Sequence, residues 1–313
     1  MIGDVRSLVD RADGSQLDKF RWYVNERFSI MLRRTQGGPP PWTDSIELQT
    51  HRFCNTFRML DRGSQTIIRM MNAMTEGTSE LDDLVLAVAY RKTNSSDGWR
   101  EAVARFGLPT AATMVDWLHD VDGSGIMIQN SRAYNVANGA PRGQTLVASL
   151  ADTIQHCLDD HLLDPVIGAS FDEQISTLDS IPRVGQFIAQ QILTDYGYGR
   201  SGYDRIEDRG VVAGPGSIRG IRWILPDEDI GRSQYSDVIP IIHEWLMSDD
   251  HPTMFVLGYV HEMTLMDTQN CLCEFDKLNR IQSGRGFRRP YGADMVRPLE
   301  VTAIPNSWRE DRH

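Results

Sequence analysis

Asp267, Asn270, Glu274 and Lys277 fall at i, i+3, i+7 and i+10 of a run that also carries Leu265, Leu272 and Phe275. On an α-helix that spacing lines the polar groups along one face and leaves the apolar ones for the core. Two carboxylates and an ammonium meeting at a cleft can move protons or hold a divalent cation; the pattern also suits a solvated, salt-bridged helix face. A second set lies between Arg52 and Arg62. There Phe53, Phe57 and Leu60 make an apolar stripe, while Arg52, Asn55, Arg58, Asp61 and Arg62 are polar or charged. Guanidinium forks are planar, bidentate and always charged, which suits phosphate or pyrophosphate. Asn55 could read a pyrimidine edge. Trp42, directly after a proline run, could stack on a base or close over the core.

The third set is Ile181-Pro182-Arg183-Val184-Gly185-Gln186-Phe187-Ile188-Ala189, with an apolar-periodic continuation to Asp195. It reads as a helix, a tight hairpin shaped by Pro182 and Gly185, and a second helix brought close by small Ala189. The N–H groups around Val184, Gly185, Gln186 and Phe187 would leave a helix N-terminus, where a phosphate can accept them. An ordinary corner between two helices uses the same punctuation. Basic residues gather at Arg27, Arg33 and Arg34, and again at Lys277, Arg280, Arg285, Arg288 and Arg289, where Gly284 and Gly286 imply a flexible phosphate-facing or merely solvated loop.

The elements that must position these groups are helices, because alternating strand-like runs are rare. Helices are expected over about 15–34, 44–61, 64–75, 81–92, 97–106, 110–120, 144–163, 171–178, 236–247 and 252–281. Leu17, Phe20, Val24, Phe28 and Met31 form the buried side of the first, and Asp44 with Glu47 caps the second. The glycine-rich stretch 197–223, including Gly214-Pro215-Gly216-Ser217-Ile218-Arg219-Gly220, reads as an ordered functional loop. The tail over 291–313 reads as irregular. The expectation is one mainly α domain over 1–313, two-lobed, with the hairpin near its cleft.

Composition excludes several classes. With 41% hydrophobic and 24% charged residues, the 313-residue chain can build a real core. No apolar run approaches a membrane span and the N-terminus lacks a signal-peptide core, so a cytoplasmic protein without membrane partners is expected. Cys54, Cys157, Cys271 and Cys273 form neither a disulfide framework nor a zinc-type CxxC pair, and read as reduced thiols. His243-Glu244 and His261-Glu262 lack metalloprotease spacing, and are expected to be hydrogen-bonded or exposed helix residues. There is no Walker A loop. A net charge of -11 argues against a nonspecific polyelectrolyte binder, though charge distribution matters more than the sum.

Taken together, Pro40-Pro41-Trp42-Thr43-Asp44, Arg52-Phe53-Cys54-Asn55 with Phe57-Arg58 and Asp61-Arg62, the hairpin, Gly214-Pro215-Gly216 with Arg219-Gly220, and Leu272-Cys273-Glu274-Phe275-Asp276-Lys277 resemble one family. It is the alpha-glutamyl/putrescinyl thymine pyrophosphorylase family of bacteriophages, related to the helical domain of 5-hydroxymethyluracil DNA kinases. The hairpin itself resembles the helix-hairpin-helix of DNA glycosylases. The resemblance spans about Arg27 to Tyr291. It implies a helix-hairpin-helix, glycosylase-like fold and a transferase in which an amine displaces pyrophosphate from 5-(pyrophosphoryloxymethyl)uracil in DNA. The partners implied are double-stranded DNA bearing the modified base, an amino acid such as glycine or a polyamine, and an upstream hydroxymethyluracil DNA kinase. A phage-encoded chain would work in the bacterial host cytoplasm.

On this reading Asp267 or Glu274 takes the amine proton, and Lys277 holds a carboxylate or phosphate. Arg52, Arg58, Arg62 and Arg219, with or without a divalent cation, meet the leaving pyrophosphate alongside Asn55, Asp61 and Trp42. Arg183 to Phe187, Gly214, Gly216, Arg285 and Arg288 face DNA, and the target base is flipped out. Glycosylases carry a catalytic Asp after their hairpin, where this chain has Val211-Val212-Ala213-Gly214-Pro215-Gly216, with Asp204 and Asp208 upstream. Glycosidic cleavage is therefore disfavoured. A noncatalytic DNA-binding subunit and a divergent glycosylase remain the alternatives.

Overall fold

The computed structural model describes residues 3–74, 77–129, 140–199, 206–256, 259–285 and 303–305. Arg288, Arg289, Asp204 and most of the expected irregular tail lie outside them. Among the described residues the protein is mainly helical. In chain order the helices are Val5–Arg11 (α1), Gly14–Thr35 (α2), Ile46–Thr50 (α3), Arg62–Ala73 (α4), Glu80–Thr93 (α5), Ser96–Phe106 (α6) and Met114–Ser124 (α7). They continue with Leu146–Asp159 (α8), Phe171–Asp179 (α9), Gln186–Tyr196 (α10), Ile206–Arg209 (α11), Pro215–Ile224 (α12) and Tyr235–Met247 (α13). An antiparallel hairpin, Thr253–Val256 (β1) and Tyr259–Glu262 (β2), precedes the long helix Leu265–Gln282 (α14). Two compact units emerge, one from Met1–Asp61 with Val211–Thr302, the other from Arg62–Gly210 with Ala303–His313.

In the first unit α2, α12 and α14 pack around Phe20, Tyr23, Phe53 and Phe275; Phe20 meets Phe275 edge-on at 5.3 Å between ring centres. Within the glycine-rich stretch, the run expected as a loop over Gly214–Gly220 is the start of the helix α12. Pro215 suits its first turn, and its glycines serve packing. A Cβ on Gly216 would sit 2.2 Å from Cys273 Sγ, and one on Gly220 would sit 2.1 Å from the Leu272 carbonyl oxygen. Buried Asp276 locks the same contact, accepting from Arg219 Nε (2.9 Å), Arg280 Nε (3.1 Å) and Trp223 Nε1 (3.3 Å).

The helix expected over 252–281 begins only at Leu265. Ahead of it, Thr-Met-Phe-Val and Tyr-Val-His-Glu alternate, burying Met254 and His261 while exposing Phe255 and Val260, the period of a strand. His261 is thus a buried strand residue, whereas His243 lies on α13 with Nδ1 2.8 Å from Thr268 Oγ1.

The second unit is built around α5, which is buried from Asp82 to Thr93 and lies against α10, α8 and α4. Ser79 and Asp82 form its capping box. Arg91 grips Asp195 of α10 with two bonds, 2.7 and 2.6 Å, and both side chains are buried. Trp99 stacks on Trp117 at 4.9 Å and donates Nε1 to Thr93 Oγ1 at 2.7 Å. Helices α9 and α10 pack together across a short turn, with Ala189 fully buried.

Candidate functional site

The segment Arg52–Asp61 is where the expected second helix fails. The helix stops at Thr50, and the chain runs irregularly to a 3-10 turn at Arg58–Leu60. Phe53, Phe57 and Leu60 are buried, as a helical stripe would require, but the backbone groups find distant side chains instead of each other. Arg27 of α2, 5% exposed, donates to the carbonyls of Phe53 (3.3 Å) and Cys54 (3.1 Å). Lys277 donates to the Arg52 carbonyl. The Cys54 N–H goes to Glu274 Oε2 at 3.1 Å, the Asn55 N–H to Asp61 Oδ1 at 2.9 Å, and the Arg58 N–H to Asp267 Oδ1 at 2.6 Å. A loop held by charges from α2 and α14 has one shape.

This lattice sorts the expected site residues. Arg52, Asn55, Asp61, Glu274 and Lys277 come together, with Lys277 Nζ 3.2 Å from Glu274 Oε2 and 4.6 Å from the Phe53 ring centre. Asp267, on the same helix face, is 3% exposed. Its second oxygen accepts the Thr264 N–H at 3.0 Å, completing the capping box that starts α14. Its position makes it a buried pin, not a group at a surface. Arg58 is likewise 3% exposed.

The other expected residues have settings of their own. Arg219 is exposed but tied to Asp276. Trp42 is half-buried, donating Nε1 to the Gly38 carbonyl at 2.6 Å beneath the Arg34 guanidinium. Gly214 is the N-cap of α12, and Gly216 packs on Cys273. Arg62 opens α4 in the second unit, paired with Asp97. In the hairpin, Val184 is core, Gly185 caps α10, Gln186 is exposed and Phe187 half-buried. Exposed Arg285 ends the α14 region, its N–H bonded to the Arg280 carbonyl at 2.8 Å.

Asp61 is the chemically distinct member. Its Oδ1 accepts both the N–H and, at 3.2 Å, the Nδ2 of Asn55, whose amide also reaches the Leu60 carbonyl at 3.0 Å. Its Oδ2 accepts no hydrogen bond among the described residues. Burial raises its carboxyl to about 6, with the Glu274 charge adding to the rise and the Asn55 N–H, Arg58 and Arg52 opposing it. A carboxyl poised there can accept a proton at neutral pH. Sequence spacing pointed to Asp267 and Glu274 as bases and to Asp61 only as a binder, since burial and a like-charged neighbour leave no local signature.

The thiols of Cys54, Cys271 and Cys273 are pushed up by burial, Cys273 to about 12, so none is a ready nucleophile. Among the described residues no three His, Cys, Asp or Glu side chains group as a metal site. No described helix is long and apolar enough to cross a membrane.

Fold and site therefore define a mainly helical domain with a charge-locked loop and a carboxyl raised by burial. The chain belongs to the 5-hmdU DNA kinase helical-domain family, whose model matches residues 15–286. The 5-hmdU DNA kinase of Bacillus phage SP10 is 26% identical over 249 residues, a stretch covering 70% of this chain and 37% of that relative. The chain thus spans little more than a third of the relative's length. No solved structure matches.

Proposed function

We propose that this chain is a DNA-modifying transferase that replaces the pyrophosphate of 5-(pyrophosphoryloxymethyl)uracil with an amine. The observation that carries the reading is Asp61, a carboxyl near neutrality with one open oxygen, fixed by Asn55 inside a cluster that also holds Arg52, Glu274 and Lys277. Membership in a family named for hydroxymethyldeoxyuridine chemistry supplies the substrate class, and the lack of a Walker A loop argues against phosphoryl transfer by this chain itself.

In the proposed step the amine lone pair attacks the methylene carbon on C5, and the C–O bond to pyrophosphate breaks with its electron pair on the leaving group. The proton released from nitrogen goes to Asp61 Oδ2. Arg52 is the exposed guanidinium nearest this role and meets the leaving charge. Lys277 and Glu274 hold the Arg52–Asn55 backbone in place. The base must leave the duplex to be reached. Incubation with DNA containing the pyrophosphorylated base and single amines, followed by digestion and nucleoside mass analysis, tests this reading: a new thymidine adduct is expected.

A second reading is a noncatalytic DNA-binding module that presents the base to a partner. It is favoured by the match to one domain of a longer kinase. That module binds DNA and releases no pyrophosphate with any amine.

A further inference from the structure

The second unit holds a pair of neighbouring cations, neither of them hydrogen-bonded to a carboxylate among the described residues. Lys92, near the end of α5, is 8% exposed, and its Nζ donates to the carbonyl of Arg183 at 2.8 Å. Arg183 sits in the α9–α10 turn at φ 65, the left-handed region where a non-glycine residue costs about 1 kcal/mol. Its Nη1 donates to buried Ser149 Oγ of α8 at 3.0 Å. The two side chains share a small groove, open to solvent and completed by Leu146, Leu150, Thr153 and Pro182.

Among the described residues the hydrogen-bond partners of the two cations are neutral, a carbonyl for one and a hydroxyl for the other. Burial, then the neighbouring Arg183 charge, bring the Lys92 ammonium down to about 8. Two like charges in a half-dry groove repel, and the fold could have relieved them with one carboxylate. A dianionic or diester phosphate would meet both cations while relieving that repulsion.

We propose that the groove between α8 and the α9–α10 turn binds a phosphoryl group, with Lys92 at its floor and Arg183 at its rim. This site is separate from the Asp61 cluster. Its readout is binding alone, so it stands or falls independently of amine transfer. The phosphate could belong to a DNA backbone or to a free anion such as inorganic pyrophosphate, and the experiment separates them.

The chain has three lysines, Lys19, Lys92 and Lys277, so biosynthetic ε-13C-lysine labelling gives one signal from each. The full chain is titrated with a short unmodified duplex, and separately with inorganic pyrophosphate. A shift of the Lys92 signal with duplex alone assigns the groove to the DNA backbone; a shift with pyrophosphate assigns it to the free anion. Arg183→Gly removes the guanidinium while suiting the left-handed backbone, so its melting temperature should stay level or rise while affinity for the active ligand falls about tenfold. A Lys92 signal unmoved by both ligands, or an Arg183→Gly protein that binds as tightly as the parent, overturns the proposal.

Discussion

Asp61→Asn should make the protein more stable at neutral pH while disabling it. Burial lifts the carboxyl from 3.8 to about 6, so the folded state holds this proton more tightly than the unfolded chain does. Its contribution to stability is therefore fully present below pH 4 and is lost as pH rises through 6. At pH 7.5 keeping the ionised group in place costs at most about 3 kcal/mol, from two units at about 1.4 kcal/mol each. Partial exposure and screening reduce this to about 1–2 kcal/mol. The asparagine carbonyl can still accept both Asn55 groups, as Oδ1 alone does now, so the change removes charge and little else. Urea unfolding at pH 7.5 and pH 5.0 reads the effect: the variant gains about 1–2 kcal/mol at the higher pH and roughly half of that at the lower. A variant less stable than the parent at pH 7.5, or a gain independent of pH, would show that Asp61 is an ordinary paired carboxylate and refute its role as base.

Further expectations concern the frame. Gly216→Ala drives a Cβ into Cys273 Sγ, and Gly220→Ala drives one into the Leu272 carbonyl; each should lower stability by about 1–3 kcal/mol or more in urea titration, because α12 and α14 cannot separate freely. Asp195→Asn removes the carboxylate that buried Arg91 grips and should cost about 3–5 kcal/mol, seen as a much lower midpoint with an unchanged slope. Asp267→Ala removes the acceptors for the Arg58 and Thr264 N–H groups, and should cost about 1–3 kcal/mol before any effect on activity is considered. Initial rates with saturating amine should rise with pH through about 6 and then level; a rate flat between pH 5 and 8 removes Asp61 from the reaction.

Much of the helical frame was legible in the chain. Apolar residues at helical spacing placed α2, α5 and α8, expected over 15–34, 81–92 and 144–163, to within a few residues of their observed ends. The site-bearing loop was not, and the reason is physical. Phe53, Phe57 and Leu60 imitate a helix, while the groups that prevent one, Glu274, Lys277 and Asp267, lie more than two hundred residues away in sequence. The α12 glycines were read as a loop because close helix packing, like a turn, calls for residues without side chains. On α14 Asp267 is buried while Glu274 and Lys277 are half-buried, a difference in depth that periodicity does not encode.

The most direct test is nucleoside mass analysis of DNA carrying 5-(pyrophosphoryloxymethyl)uracil after incubation with the protein and one amine at a time, run in parallel with Asp61→Asn. The account predicts a thymidine adduct with at least one amino acid or polyamine, stoichiometric pyrophosphate release, and a large loss of both in a variant that remains folded. DNA binding without adduct or pyrophosphate for every amine, or full turnover by Asp61→Asn, would contradict it.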